Sequence, residues 1–340
     1  MAVTINDVAK AAKVSPSTVS RVVANNPRIS EKTRERVIKV MEEMDYHPNI
    51  IARSLANRST NIIGVMIPST TEKAFKHPFF PEVLRGITSK AYENKYKVLI
   101  SSADSIEEEK EVIRELVNGS IVEGIILLTS RIKDPSIAEL RKLDLPFVVV
   151  GRPEDAYENE INWVDNDNFN AGYNLTKHMI DQGLKQIAFI GVSPQYIVTL
   201  DRLEGYKKAL EDNKIEIIDD LIVDGKFMGD TGDNLMQSLI DRGYKPDGVI
   251  ASDDFLAFEI IKLLTEMGVN VPYDIAVAGF NNSEIAGFFN PSLTSVEVNA
   301  YSLGVKAMDI LSTSIRSDYK CINRSIVPTK IIVRKSTSRI

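Results

Sequence analysis

TINDVAKAAKVSPSTVSRVV, Thr4 to Val23, holds two short helical patterns separated by almost nothing. Thr4 can cap a helix from Ile5 to Ala12, with Ile5, Val8, Ala9 and Ala12 on one apolar face. Lys13-Val14 leaves room only for a tight turn. A second helix then opens with Ser15 as cap and Pro16 at the first helical position, where a missing N–H costs nothing. It buries Val19 and Val22 and stops at Asn25-Asn26-Pro27, since a residue before proline avoids helix. Ser30 caps a third helix, Glu31 to about Met44, with Val37, Val40, Met41 and Met44 inward. Three short helices with a tight first turn describe a helix-turn-helix. In that motif the second helix enters the major groove N-terminal turn first. Ser15, Pro16, Ser17 and Thr18 are small there, letting backbone and hydroxyls approach phosphates and base edges, and Arg21 lies one turn on. The same spacing also fits an ordinary helical hairpin with a capped start.

DYHPNIIARSLANRSTN follows. Pro48 breaks the third helix, and Ile50 to Asn57 can form two further turns, too few to be stable alone in water. Ile51 and Leu55 sit between Arg53 and Arg58, an arrangement that suits a wedge in the minor groove or a linker helix packed on the rest of the chain. Residues 1–60 carry ten Lys/Arg against six Asp/Glu. The chain as a whole is −6, so a basic head sits on an acidic body.

With 340 residues, 44% hydrophobic and 26% charged, the chain is long enough for two or three domains with full cores. One cysteine, Cys321, excludes an intrachain disulfide and a cysteine zinc cage. No apolar run reaches membrane-spanning length, and the N-terminus lacks a signal-peptide core, so a cytoplasmic location is expected.

From Asn61 the pattern becomes strand–helix alternation. NIIGVMIP, YKVLISS, VEGIILLT and FVVVGRP form one set, and QIAFIGV, IIDDLIVDG, DGVIASDD and IAVAGFNN a second. Continuous apolar strands of this kind indicate parallel sheets covered on both faces. The expected architecture is an all-α helix-turn-helix headpiece (1–46), a hinge helix or linker (47–60), and a two-lobed α/β body (61–340) built on two doubly wound parallel sheets. The N-lobe is expected at about 61–161 plus 293–320, and the C-lobe at 162–290 plus 321–340. Ligands in such sheets sit beyond the carboxyl ends of the strands. The post-strand segments AFKHPFF, VDNDN, SPQYIVTLDRLEGY, DGKFMGD, ASDD and GFNN offer aspartate, asparagine, arginine and phenylalanine there. That mixture suits sugars, with paired hydrogen bonds to hydroxyls and an apolar wall for C–H faces. Asp and Asn after strands are also commonplace helix caps.

Enzyme readings fare poorly. His47, His77 and His178 are far apart in sequence and read as surface or capping residues, and no cofactor is implied. DNDNFNAG imitates the start of a calcium loop but has Phe169 and Asn170 where oxygen and glycine are needed. There is no P-loop and no nucleophile elbow, and Asp253-Asp254 is explained by ligand binding or capping.

TINDVAKAAKVSPSTVSRVV, ISEKTRERV and DYHPNIIARSLA together resemble the LacI/GalR family of bacterial transcription regulators along the whole head. The resemblance implies that Thr4, Ser15, Pro16, Ser17, Thr18, Arg21 and Asn25 face DNA. In the hinge, Ala52, Leu55 and Arg58 do so, with Leu55 intercalating at the operator centre. Pro16 stands where some members carry tyrosine, which bears on base preference. HPFFPEVLRGI, VDNDNFNAG, TLDRLEGY, ASDDFLAF and GFNNSEIAGFFNPSLTSV extend the resemblance over the body, built in this family like type I periplasmic sugar-binding proteins. It implies an effector set of Phe79, Phe80, Asp167, Tyr196, Arg202, Phe227, Asp253 and Asn281. Many members have asparagine at Asp253 and aspartate at Asn281, a swap that keeps hydrogen-bonding capacity. Within the family the chain looks most like the maltose-operon repressors of Gram-positive bacteria. The function so implied is a repressor of sugar-utilisation genes, released from palindromic operator DNA by maltose or a maltodextrin. Its C-terminus lacks a leucine heptad, which favours a homodimer. Control by a phosphoprotein co-regulator or a purine is the alternative within the family. A plain sugar-binding protein is the alternative outside it.

Overall fold

The computed structural model describes residues 3–23, 26–46, 59–68, 71–128, 130–225, 230–317, 319 and 321–339. It divides into two compact units, Met1–Asn61 and Ile62–Ile340.

The first unit holds α1 (Ile5–Ala11), α2 (Pro16–Val23) and α3 (Glu31–Glu43). Thr4 and Asp7 form a reciprocal capping box at α1. Lys13 takes a left-handed conformation (φ 53°) that turns the chain between the first two helices. Val8, Ala9, Ala12, Val19, Val22 and Val37 are buried together, with Ile5, Val40, Met41 and Met44 packed around them. Small side chains at the centre let three short helices approach closely. The proposed hinge helix lies outside the described residues, as do Asn25, His47, Ala52, Leu55 and Arg58.

The second unit contains two six-stranded sheets. The strands are β1 (Ile62–Pro68), β2 (Lys97–Ala103), β3 (Gly124–Leu127), β4 (Phe147–Val150), β5 (Asn162–Asn166), β6 (Ile187–Val192), β7 (Ile222–Asp224), β8 (Gly248–Ala251), β9 (Ala276–Phe280), β10 (Thr294–Glu297), β11 (Arg324–Val327) and β12 (Lys330–Ile332). The first sheet runs β11-β5-β4-β3-β1-β2, all parallel. The second runs β12-β10-β9-β8-β6-β7, parallel except for β12 at its edge. Central strands such as β3 (GIIL) and β4 (FVVV) are buried at every position, as a sheet covered on both faces requires.

This topology corrects the expected lobe boundaries. β5 joins the first sheet rather than opening the second lobe, β10 belongs to the second sheet, and β11 returns to the first. The chain therefore crosses between lobes after strands rather than before them. β5 (NWVDN) is mostly polar and overlaps VDNDN, read from sequence as a post-strand segment, so neither its strand state nor its sheet was given by hydrophobic pattern. One side chain gathers the three crossings: Asn166 Nδ2 donates to the carbonyls of Val298 (3.0 Å) and Val327 (2.9 Å).

The helices that position the lobe interface are α4 (Thr71–Lys76), α5 (Phe79–Glu93), α6 (Ile106–Asn118) and α7 (Pro135–Leu143), then α8 (Asn168–Asp181), α9 (Ile197–Asp212), α10 (Gly232–Asp241), α11 (Asp254–Glu266), α12 (Glu284–Phe288) and α13 (Ala300–Arg316). Two pairs cross at glycines. A Cβ at Gly86 of α5 would stand 2.1 Å from the Tyr301 carbonyl of α13, and one at Gly304 would stand 2.1 Å from that of Val83. Gly172 of α8 and Gly205 of α9 repeat the device against the carbonyls of Arg202 (2.2 Å) and Phe169 (2.0 Å). No side chain fits at any of these four positions without the helices moving apart. Among the described residues no helix is long and apolar enough to cross a membrane.

Candidate functional site

In the head, α2 differs from its neighbours at its N-terminus. α1 and α3 carry acidic residues in their first turns, Asp7 and Glu31, whereas α2 has none. The partial positive charge of that helix end is therefore left for an external anion. Ser15 Oγ accepts the Thr18 N–H (3.2 Å) and lies 2.8 Å from both Ser17 Oγ and Thr18 Oγ1. Three hydroxyls thus share one rim around exposed Pro16, and Arg21 is exposed on the same helix. Each hydroxyl can donate or accept, so the rim can meet both phosphate oxygens and base edges. Thr4 is exposed with its hydroxyl donating to Asp7 Oδ2 (2.7 Å).

In the body, the centre of interest is Arg202 on α9, buried to 6% exposure. Its Nε donates to Asn168 Oδ1 and its Nη1 to the Ser252 carbonyl, both at 3.0 Å. The guanidinium lies over the Phe280 ring, 4.2 Å from its centre. Nη2 donates no hydrogen bond to a described residue. Burial pulls the guanidinium down to about 10, against the opposing pull of Asp165, Asp253, Asp254 and Asp201. A buried cation surrounded by carboxylates, stacked on an aromatic ring, with one edge unused by any described residue, is equipped to hold a polar ligand.

The lobes meet around this residue. The Ile132 N–H donates to the Gln195 carbonyl (3.0 Å), and the Arg152 guanidinium pairs with Asp201 (2.9 and 3.2 Å). His77 Nε2 of the first lobe stands 3.8 Å from Asp253 Oδ2 of the second. An interlobe cavity of about 610 Å³ is lined by Phe79, Glu82 and Tyr301 on one side and by Asn281, Ser283 and Arg334 on the other.

The expected effector residues separate under this geometry. Arg202 and Asp253 are brought together in the second lobe, and Phe79 and Asn281 share the cavity. Tyr196 lines a neighbouring recess of about 450 Å³ with Asp224 and Asp230. Asp167 is exposed and caps α8, accepting from the Asn170 N–H (3.0 Å) and Nδ2 (2.6 Å). Asp253 likewise caps α11 through the N–H groups of Phe255 and Leu256. Burial alone would raise Asp253, but His77 and the two N–H groups bring it below its ordinary value. Phe80 corrects an expectation: it is enclosed in the apolar core at 1% exposure, edge-on to Phe79, and faces His77 rather than open space. Phe227 lies outside the described residues.

A description of bacterial regulatory proteins of the lacI family matches residues 4–49, and a periplasmic binding protein-like domain matches residues 176–337. The transcriptional regulator MalR of Streptococcus pneumoniae is 35% identical over 98% of this chain and 99% of its own length. Among solved structures, a complex of the transcriptional regulator CelR with cellobiose matches with a TM-score of 0.78 at 29% identity, over 98% of this chain and 99% of that one. The lac repressor dimer bound to operator and the anti-inducer ONPF matches with a TM-score of 0.84 at 26% identity, over 99% of both chains. The chain belongs to the LacI family of bacterial regulatory proteins. It is a DNA-binding transcription regulator with a sugar-binding type of body, and not an enzyme.

For this LacI-family chain, the structure specifies three groups around Arg202 and Asp253: Asn168, which the sequence left without a role, Asp254, read with Asp253 as ligand-binding or capping, and His77, read as surface or capping. Asn168 bonds Arg202 directly. Asp254, buried at 1% exposure, takes the Ser283 N–H (2.7 Å) and the Ser295 hydroxyl (2.6 Å), and burial pushes its carboxyl up to about 7. His77, read as a surface or capping residue, is instead half-buried between Phe80 and Phe255, and its Nδ1 is buried without a hydrogen-bond partner. His178 is also half-buried, bonded to Thr337 Oγ1 (2.9 Å). The signal for His77 was its place in HPFF, directly before the helix that brings Phe79 to the cavity. Among the described residues no cluster of His, Cys, Asp and Glu is placed to hold a metal ion.

Proposed function

We propose that this chain is a sugar-responsive repressor acting in the cytoplasm as a homodimer on palindromic operator DNA. The observation that carries the effector half of this reading is Arg202, a buried guanidinium at the junction of two lobes whose Nη2 donates to no described residue. A sugar presents adjacent hydroxyls that accept from such an edge, and Phe79 supplies an apolar wall in the interlobe cavity it shares with Asn281. Maltose or a maltodextrin is the favoured effector. The resemblance to MalR supports it, and the cellobiose complex of CelR supports a disaccharide-sized ligand.

In this mechanism the hydroxyl rim of α2 reads the major groove of each half-site, two-fold symmetry in the protein matching that of the operator. Sugar bridges Arg202 and the first lobe, favouring apposed lobes over separated ones. The dimer then shifts to an arrangement whose heads no longer fit both half-sites. The loss of operator affinity equals the sugar's preference for the released state, typically a few kcal/mol.

Calorimetric titration of the full chain with maltose, maltotriose, glucose and a purine base tests the effector. Heat from the maltosaccharides alone, with sugar-dependent release of operator in a gel-shift assay, is the expected result. Binding of the purine alone would replace maltose with a base as the controlling ligand. Silence across all four would remove the maltose assignment.

A further inference from the structure

Arg202 belongs to a closed ring of contacts that crosses the lobe boundary twice. Its Nε donates to Asn168 Oδ1 at 3.0 Å. Asn168 Nδ2 donates to Asp165 Oδ1, also at 3.0 Å. Asp165 Oδ2 accepts the Arg152 backbone N–H at 2.7 Å, and the Arg152 guanidinium pairs with Asp201 through Nη2 and Nε. Asp201 precedes Arg202 on α9, which closes the ring. Asp165 lies in a strand of the first sheet and Arg152 follows another, whereas Asn168, Asp201 and Arg202 ride on helices of the second lobe. Asn168 and Asp165 are buried at 2% and 5% exposure.

Arginine has rotatable bonds to spare, and a ligand that must first freeze them loses affinity. We propose that Asn168, Asp165, Arg152 and Asp201 are positioning residues that hold Arg202 in its ligand-ready orientation only while the lobes are apposed. The proposal rests on the reading of Arg202 as an effector contact. Separating the lobes breaks the Arg152–Asp201 pair and pulls on the Asp165–Asn168 bond, which loosens Asn168 under the guanidinium, while Asp165 keeps its first-lobe donors, the N–H groups of Arg152 and Asn166. Sugar affinity and lobe closure are then two readings of one network.

The test follows the Arg202 Nε–H signal by relaxation-optimised NMR of ¹⁵N-arginine-labelled full-length protein, assigned by its loss in Arg202→Lys. In the unmodified chain this proton should exchange at least about tenfold more slowly than that of exposed Arg21. Asn168→Ala should abolish the protection. Asp201→Asn keeps size and touches no atom of the Arg202 side chain, yet should cut the protection about threefold and weaken maltose binding to a similar degree. A thermal midpoint for each variant separates these effects from misfolding. Protection unchanged in Asp201→Asn, or an Arg202 proton exchanging as fast as Arg21 in the unmodified chain, would overturn the proposal. Failure of the unmodified chain to bind maltose would count against the effector reading alone, because the exchange measurements decide the positioning role without ligand.

Discussion

The two lobes pack their principal helices in the same way and use the result differently. In the first lobe, Gly86 and Gly304 seat α5 and α13 on each other's carbonyls; in the second, Gly172 and Gly205 do so for α8 and α9. The residue beneath Gly86 is Tyr301, whose ring is covered by the mostly exposed guanidinium of Arg85 at 4.1 Å. Beneath Gly172 lies the backbone of Arg202, whose guanidinium is buried. A scaffold contact and the proposed effector contact thus share one packing solution, and what separates them is where a charge has been desolvated. A glycine seat brings two helix backbones into direct contact, so it is a fitting base for a side chain proposed to be held pre-aimed.

The comparison can be broken most forcefully at the glycines. Gly205→Ala and Gly86→Ala should each lower stability by about 3 kcal/mol in urea unfolding, since a Cβ near 2 Å from a carbonyl must push two helices apart. Gly172→Ala should also reduce sugar affinity in titration, whereas Gly86→Ala should not; equal loss in both would erase the distinction. Next in size, Arg202→Ala should remove about 2 kcal/mol of sugar binding and abolish operator release, with operator affinity itself retained. Its counterpart Arg85→Ala should change stability by less than about 0.5 kcal/mol, because its partner Glu82 is exposed.

A smaller effect sharpens the contrast through pH. Asp254 has a folded pKa raised to about 7 by burial, above its ordinary 3.8. Its contribution to stability is therefore complete below the unfolded value and is lost as pH rises through 7. Between pH 6 and pH 8 the protein should lose about 1.4 kcal/mol through this group, and Asp254→Asn should flatten that slope in urea titrations at the two pH values. In the head, Ser15→Ala removes the cap on the Thr18 N–H. It should cost about 1 kcal/mol of head stability by circular dichroism and weaken operator binding in gel shifts.

Much of this was legible in the chain. The caps at Thr4 and Ser15, the valine and alanine core of the head, and the buried strands all follow from spacing and residue type, because each is decided within a few residues. The competing interpretation of Asp167 and Asp253 as helix caps is what both side chains do. Asp253 combines capping with proximity to Arg202, whereas Asp167 leaves that place to Asn168. The lobe membership of β5, β10 and β11 was illegible, since a buried strand has the same composition in either sheet. The particular surroundings of His77, read as surface or capping, and of Asp254, read with Asp253 as ligand-binding or capping, were not legible for a related reason. Their character comes from residues distant in sequence, Asp253 for one and Ser283 and Ser295 for the other, and no local pattern encodes such meetings.

Asn166 gives the body its mechanical character. Because one amide ties the carbonyls of Val298 and Val327 while its own strand makes the remaining crossing, the three connections act as a single pivot rather than three independent springs. Bending there moves nearby atoms little and distant ones far, as in a lever. On the proposed effector mechanism, a small shift of contacts beside the pivot carries through to the far rim of each lobe without either lobe deforming.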